Sequence, residues 1–88
     1  MMVNDTIRRF IVEELHWNGS TDGPTDDYEL LQNEVLDSMG TFEIVAFLES
    51  EFGIAILDED LLPDNFETIG SITRLVEAKR DSQTTPPQ

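Results

Sequence analysis

The chain contains no cysteine, which rules out a disulfide framework and any thiolate metal site. It is also poor in positive charge. Five Lys and Arg stand against nineteen Asp and Glu, for a formal net charge of −14. Arg8 and Arg9 lie near the start, Arg74, Lys79 and Arg80 near the end, and no Lys or Arg falls between Phe10 and Thr73. A field of that sign repels nucleic acid and anionic membrane and draws basic protein surfaces inward, so partners are expected to be proteins. The same charge keeps a small domain soluble, and charge alone does not separate the two roles. No apolar run is long enough to span a bilayer, and Met1 to Phe10 lacks the apolar block of a signal peptide. Without membrane insertion, a cytoplasmic monomer is expected. With 88 residues there is room for one domain and one modest core, supplied by the apolar faces of helices.

Periodicity divides the chain into three main helices. Asp5 or Thr6 can cap the first, where Ile7, Phe10, Ile11 and Leu15 recur at helical spacing and Asn18 and Gly19 end it. Asn18 to Asp27 is rich in turn formers and begins a connection of about 20 residues, long enough to require packing or a function. Tyr28, Leu30 and Leu31 are expected to pin it to the bundle. A second helix begins at Asp37 or Ser38 and ends at Gly53, which suits a left-handed cap. Ile54 to Leu57 is β-branched, but no second strand is available, so it reads as extended chain packed into the core. Asp58 to Leu62 makes at most one short helical turn, stopped by Pro63. Thr68 caps the last helix, with Ile69, Ile72, Leu75 and Val76 as its buried stripe and Lys79 and Arg80 at its negative end. The expectation is an all-α fold of three main helices plus one short one over 1–80, with a disordered tail over 81–88.

The second helix carries the functional reading. On a wheel of 3.6 residues per turn, Ile44, Val45, Leu48 and Phe52 form a core stripe beside Thr41. Met39, Phe42 and Ala46 fall roughly opposite, interleaved with Glu43 and close to Glu49, with Ser38 at the start of that face. Apolar residues rimmed by carboxylates suit docking, giving contact area together with steering against a basic partner. The alternative is that Met39 or Phe42 folds beneath the long loop as core. Phe47, on the flank, covers either that loop or the first helix. Ser38 after Asp37 reads, on its own, as a helix cap. The sole histidine, His16, is a poor general base for Ser38 because it falls near the end of another helix. Asp58 and Asp60 resemble the opening of a calcium loop, but Leu62 occupies the next ligand position, and neither the required glycine nor the terminal glutamate follows.

The run Leu36-Asp37-Ser38-Met39-Gly40-Thr41-Phe42-Glu43 resembles the Asp-Ser-Leu/Met modification motif of acyl carrier proteins. Leu48 to Ile54 is similar to the end of that family's second helix, Ile56 to Asp58 to the step into its short third helix, and Phe66 to Ile69, with Ile72, to the start of its last. The likeness covers roughly residues 5 to 80. It implies a four-helix bundle of acyl-carrier type over 1–80, with no catalysis of its own. It also implies that a phosphopantetheinyl transferase uses Mg²⁺ and coenzyme A to place 4′-phosphopantetheine covalently on Ser38. Asp37 would help hold the transferase's metal or orient the serine. The arm's thiol would hold cargo as a thioester. Met39, Phe42, Glu43, Ala46 and Glu49 match partner-contacting positions, where an acyl- or aminoacyl-loading enzyme and downstream synthases with basic docking surfaces would bind.

Two departures bear on the pathway. Many family members have glycine immediately before the Asp-Ser pair, where this chain has Leu36. Housekeeping fatty-acid carriers place an acid after the Leu or Met, where this chain has Gly40. Ser-Met-Gly-Thr is closer to D-alanyl carriers and to discrete carriers of specialised pathways. The leading expectation is a discrete acyl carrier in polyketide or mixed peptide/polyketide metabolism, followed by a D-alanyl or other aminoacyl carrier, then a fatty-acid carrier. Phe10, Phe47, Phe52 and Phe66 are expected to fill the space beneath the second helix, which favours short or polar cargo. A separate class is an acidic module that binds a basic partner without any prosthetic group. Ser38 separates the two: Ser38→Ala would abolish carrier function and cost an adaptor only a capping loss of about 1 kcal/mol.

Overall fold

The computed structural model describes residues 2–15, 17–19 and 21–83, with residues 82 and 83 described by backbone alone. Helix α1 spans Val3–Glu14, α2 spans Ser38–Phe52 and α3 spans Ile69–Gln83, with single 3₁₀ turns at Asp58–Asp60 and Pro63–Asn65. No strand occurs among the described residues, and Ile54 to Leu57 is extended, with Ile54 buried. The bundle is therefore all-α, as expected, although the short helix is replaced by two separate turns. Pro63 does not end a turn here. It opens the second, at the first helical position, where its missing N–H costs nothing.

Apolar spacing sets which faces are buried. In α1 the buried residues are Val3, Ile7 and Ile11, one every four positions. In α2 they are Gly40, Ile44 and Leu48, and in α3 the expected stripe supplies Ile69, Ile72 and Val76, with Leu75 partly buried. Leu30 and Leu36 from the long connection, with Ile54 and Phe66, complete the core. Each fully buried Leu or Ile contributes about 1.5–3 kcal/mol relative to exposure, and helix packing is the main source of stability. Helices α1 and α2 run antiparallel. Phe10 stacks on Phe47 with ring centroids 4.3 Å apart, while Leu15 approaches Gly40 at the other end. Phe47 thus covers α1 and not the loop.

The long connection is fixed by backbone bonds as well as by side chains. Leu30 N–H donates to the Glu67 carbonyl and Gly70 N–H to that of Asp26, both at 2.8 Å. The second bond satisfies one of the orphan donors at the start of α3. Arg8 Nε donates to Pro24 O at 2.7 Å, and its guanidinium pairs with Asp5 and Asp26. Tyr28 meets Trp17 edge to face at 5.3 Å, and Leu31 is partly buried against the core.

Three boundaries differ from expectation. Helix α1 begins at Val3, capped by Met2 without a side-chain bond, so Asp5 and Thr6 lie within its first turns. Thr6 Oγ1 donates back to Met2 O at 3.2 Å. The helix stops at Glu14, ahead of Asn18 and Gly19, because Leu15 turns to extended backbone. Helix α3 reaches Gln83, so the first three residues of the expected tail are helical; 84–88, like His16, lie outside the described residues.

Candidate functional site

Ser38 is the first residue of α2, and the helix begins there because Asp37 caps it. The Asp37 carboxylate accepts a hydrogen bond from Gly40 N–H at 2.8 Å, and its carbonyl accepts from Thr41 N–H and Oγ1. Capping had been an alternative role for Ser38, and Asp37 takes it. The Ser38 side chain is exposed and bonds no other described residue, so its hydroxyl oxygen stands free for chemistry. Gly40 is buried at the third position. A Cβ there would meet the Asp37 carboxylate at 3.2 Å and Leu36 at 3.5 Å, so the absence of a side chain lets the cap close against the helix. An acidic side chain at this point would face a packed surface.

A turn just upstream aims this corner. Glu34 N–H donates to Leu31 O, and Val35 and Leu36 N–H both donate to Leu30 O. The paired 6→1 and 5→2 bonds are those of a Schellman turn, and Glu34 occupies its left-handed position with φ 59°. Leu36 follows it into the core, and the chain emerges at Asp37. At the other end of α2, Gly53 is left-handed with φ 64° and donates its N–H to Glu49 O. Both limits of the helix are those read from the sequence.

Along α2, Met39 and Phe42 are 68% and 71% exposed, which settles their placement outside the core. Ala46 and Glu43 are exposed beside them. Glu49 is placed differently: it is half-buried, and its Oε2 accepts the Ile56 N–H at 2.8 Å. It ties the extended segment to α2 and only partly faces outward. The sequence gives no sign of this, since the bond depends on how the chain returns after Gly53.

Between α2 and the first 3₁₀ turn lies a groove of about 430 Å³ that begins at Ser38 and is walled by Phe42, Val45, Ile56 and Leu61. Thr41, Glu49 and Asp58 add polar groups to its edge. The turn is held in place by Asp60. Its carboxylate pairs with Lys79 of α3 at 2.5 Å and accepts Leu57 N–H, while its carbonyl accepts from Asn65. The Lys79 hydrogen bond holds the Asp60 carboxyl below its ordinary value of 3.8. Lys79 therefore serves as an anchor for the turn, a role beyond the dipole partner read from the sequence. The four phenylalanines expected beneath α2 divide between two places. Phe66 is in the core, whereas Phe10, Phe47 and Phe52 line a different groove, on the α1 side.

These residues fit a covalently attached phosphate-linked arm: a free, exposed hydroxyl at a capped helix start, an apolar groove leading from it, and flanking apolar contacts. No family model matches the chain. Among curated proteins, it is 32% identical over 60 residues to a Serratia protein described as a probable acyl carrier protein, PigG, covering 68% of this chain and 69% of that one. It is 28% identical over 80 residues to an acyl carrier protein of Wolinella succinogenes, covering 91% of this chain and all of the other. On that similarity and this fold the chain belongs to the acyl carrier proteins, which hold a 4′-phosphopantetheine on a serine and are carriers, not catalysts.

Proposed function

We propose that Ser38 is the attachment residue and that the chain is a discrete acyl carrier of polyketide or mixed peptide/polyketide metabolism. The observation carrying this is the free Ser38 hydroxyl at the capped start of α2, beside exposed Met39 and Phe42. Asp37 fixes the serine by capping the helix, and its second carboxylate oxygen is left for the transferase. The serine oxygen takes the phosphate, and its proton leaves to the transferase, so this chain needs no base of its own. When bound, the arm supplies a terminal thiol that holds cargo as a thioester. Met39, Phe42 and Ala46 give apolar contact to a transferase, a loading enzyme and later synthases, and Glu43 steers their basic surfaces. Glu49 contributes mainly by holding the groove wall. The chain works in the cytoplasm as a monomer.

The specialised-pathway reading draws on Gly40 and on the likeness to PigG. The groove's short apolar wall and polar edge suit cargo of modest length. The test is intact mass after incubation with coenzyme A, Mg²⁺ and a broad-specificity phosphopantetheinyl transferase. The parent gains one arm and Ser38→Ala gains none. An unmodified but folded parent would transfer the reading to a non-covalent acidic module.

A further inference from the structure

The outer wall of the Ser38 groove is held differently from the rest of the molecule. Each helix is seated by buried apolar residues, but between Ile54 and Phe66 no residue is buried. The first 3₁₀ turn lies in that stretch, with Leu57 and Leu61 exposed on either side of it. A segment with so little apolar burial is of the kind that opens locally while the core stays shut. Polar bonds to α2 and α3 fix its position. Glu49 of α2 accepts the Ile56 N–H, and Lys79 of α3 pairs with Asp60. The Lys79 and Asp60 side chains are only 16% and 15% exposed, so solvent and salt screen the pair weakly. Asp60 also gathers the segment itself, accepting Leu57 N–H and, through its carbonyl, the Asn65 amide. Ile56 and Leu61, which wall the groove, bracket this turn in the chain, so the turn's position sets the groove's width.

We propose that Lys79 is a positioning residue that limits the length of acyl chain this carrier can enclose. Acting through Asp60, it fixes the turn beside α2, so the groove of about 430 Å³ encloses a short chain and leaves a long one in solvent. Without the ammonium group, the Asp60 carboxylate is left shielded from water with no cation beside it. The turn then moves outward to hydrate the carboxylate, and a longer chain enters between Val45 and Leu61. Glu49 keeps the Ile56 end in place, so the segment opens from the Asp60 end. Cargo length is thereby decided by a residue of α3 that does not itself line the groove. This rests on the reading that Ser38 carries the cargo, and it deepens that reading.

The chain has no cysteine, so Ser38→Cys offers a single point at which alkyl chains can be attached without any transferase. Butyl and dodecyl chains are joined there as thioethers, and the methyl signals of Val45, Ile56 and Leu61 are followed in the isotopically labelled full chain. With Lys79 in place, the butyl chain is expected to shift these signals more than the dodecyl chain does. With Lys79→Met the order reverses, and Lys79→Arg restores it. In the chain without any attachment, Lys79→Met should speed amide exchange at Leu57 and Leu61 about tenfold, while the methyl shifts of core Ile11 and Ile72 stay unchanged. The parent's chain-length order in the Met variant, no restoration by Arg, unaltered exchange at Leu57 and Leu61, or shifts that spread to Ile11 and Ile72 would each overturn the proposal. Arm transfer to Ser38 is decided by its own mass measurement, so a failure of that reading is distinct from each of these outcomes.

Discussion

Three side chains around the start of α2 divide the work between folding and chemistry. Asp37 holds the helix, Ser38 is left free, and Gly40 makes room for the cap. Asp37→Ala should therefore cost about 1 kcal/mol, and Asp37→Asn only a few tenths, because the amide oxygen still accepts from Gly40. Urea unfolding checks this. If the Asn variant is stable yet a poorer substrate for arm transfer, the carboxylate itself serves the transferase. Ser38→Ala should leave stability within about 0.5 kcal/mol, since no bond to the protein is lost. Glu34 offers the opposite case, a side chain held in a left-handed conformation without a compensating bond from it. The left-handed penalty is about 1–2 kcal/mol, and glycine's greater chain entropy returns part of it, so Glu34→Gly should stabilise by about 0.5–1 kcal/mol. A lower unfolding midpoint for that variant would contradict the account.

At the scale of elements, what was legible followed from local chemistry. Asp37 and Gly53 mark both ends of α2 because a capping carboxylate and a left-handed glycine act within a few residues of themselves. Thr68 is legible for the same reason, its Oγ1 accepting Ser71 N–H at 3.0 Å. The start of α1 was not, because no polar side chain caps it and burial of Val3 draws the helix back beyond Asp5. Nor were the Glu49 bond to Ile56 and the Asp60 pair with Lys79, which join segments only after the chain has folded back. The exposure of Met39 and Phe42 was legible from the wheel, whereas the trough of Phe10, Phe47 and Phe52 required knowing that α1 packs antiparallel to α2.

The Asp60 clamp makes a prediction of its own. Lys79 lowers the Asp60 pKa in the fold, so its contribution is complete above the ordinary carboxylate value of 3.8 and fades as pH falls through the depressed value. The stability difference between the parent and Lys79→Met should therefore be constant near neutral pH and shrink as the pH falls below the ordinary carboxylate value of 3.8. Urea midpoints across that range measure it. A difference that grew on acidification would place the clamp's energy elsewhere.

For the whole molecule, the dominant fact is a net charge of −14 on a single small domain. Repulsion among these carboxylates opposes compaction and is screened within about 10 Å at 0.1 M salt. The melting temperature should rise with added salt and more steeply with a divalent cation, and a flat response would mean that the charges are too dispersed to matter. On the proposed reading, the same field would steer a basic partner in, and a few exposed apolar residues would then fix its position. No helix among the described residues is long and apolar enough to cross a membrane.

The central claim is that the carrier chemistry is placed on Ser38, and fragment mass spectrometry of the chain after arm transfer tests it most directly. The account predicts phosphopantetheine on the peptide containing Ser38 alone, with exposed Ser50 and half-buried Ser71 unmodified. An arm found on either of those serines, or none on a chain shown to be folded, would contradict it.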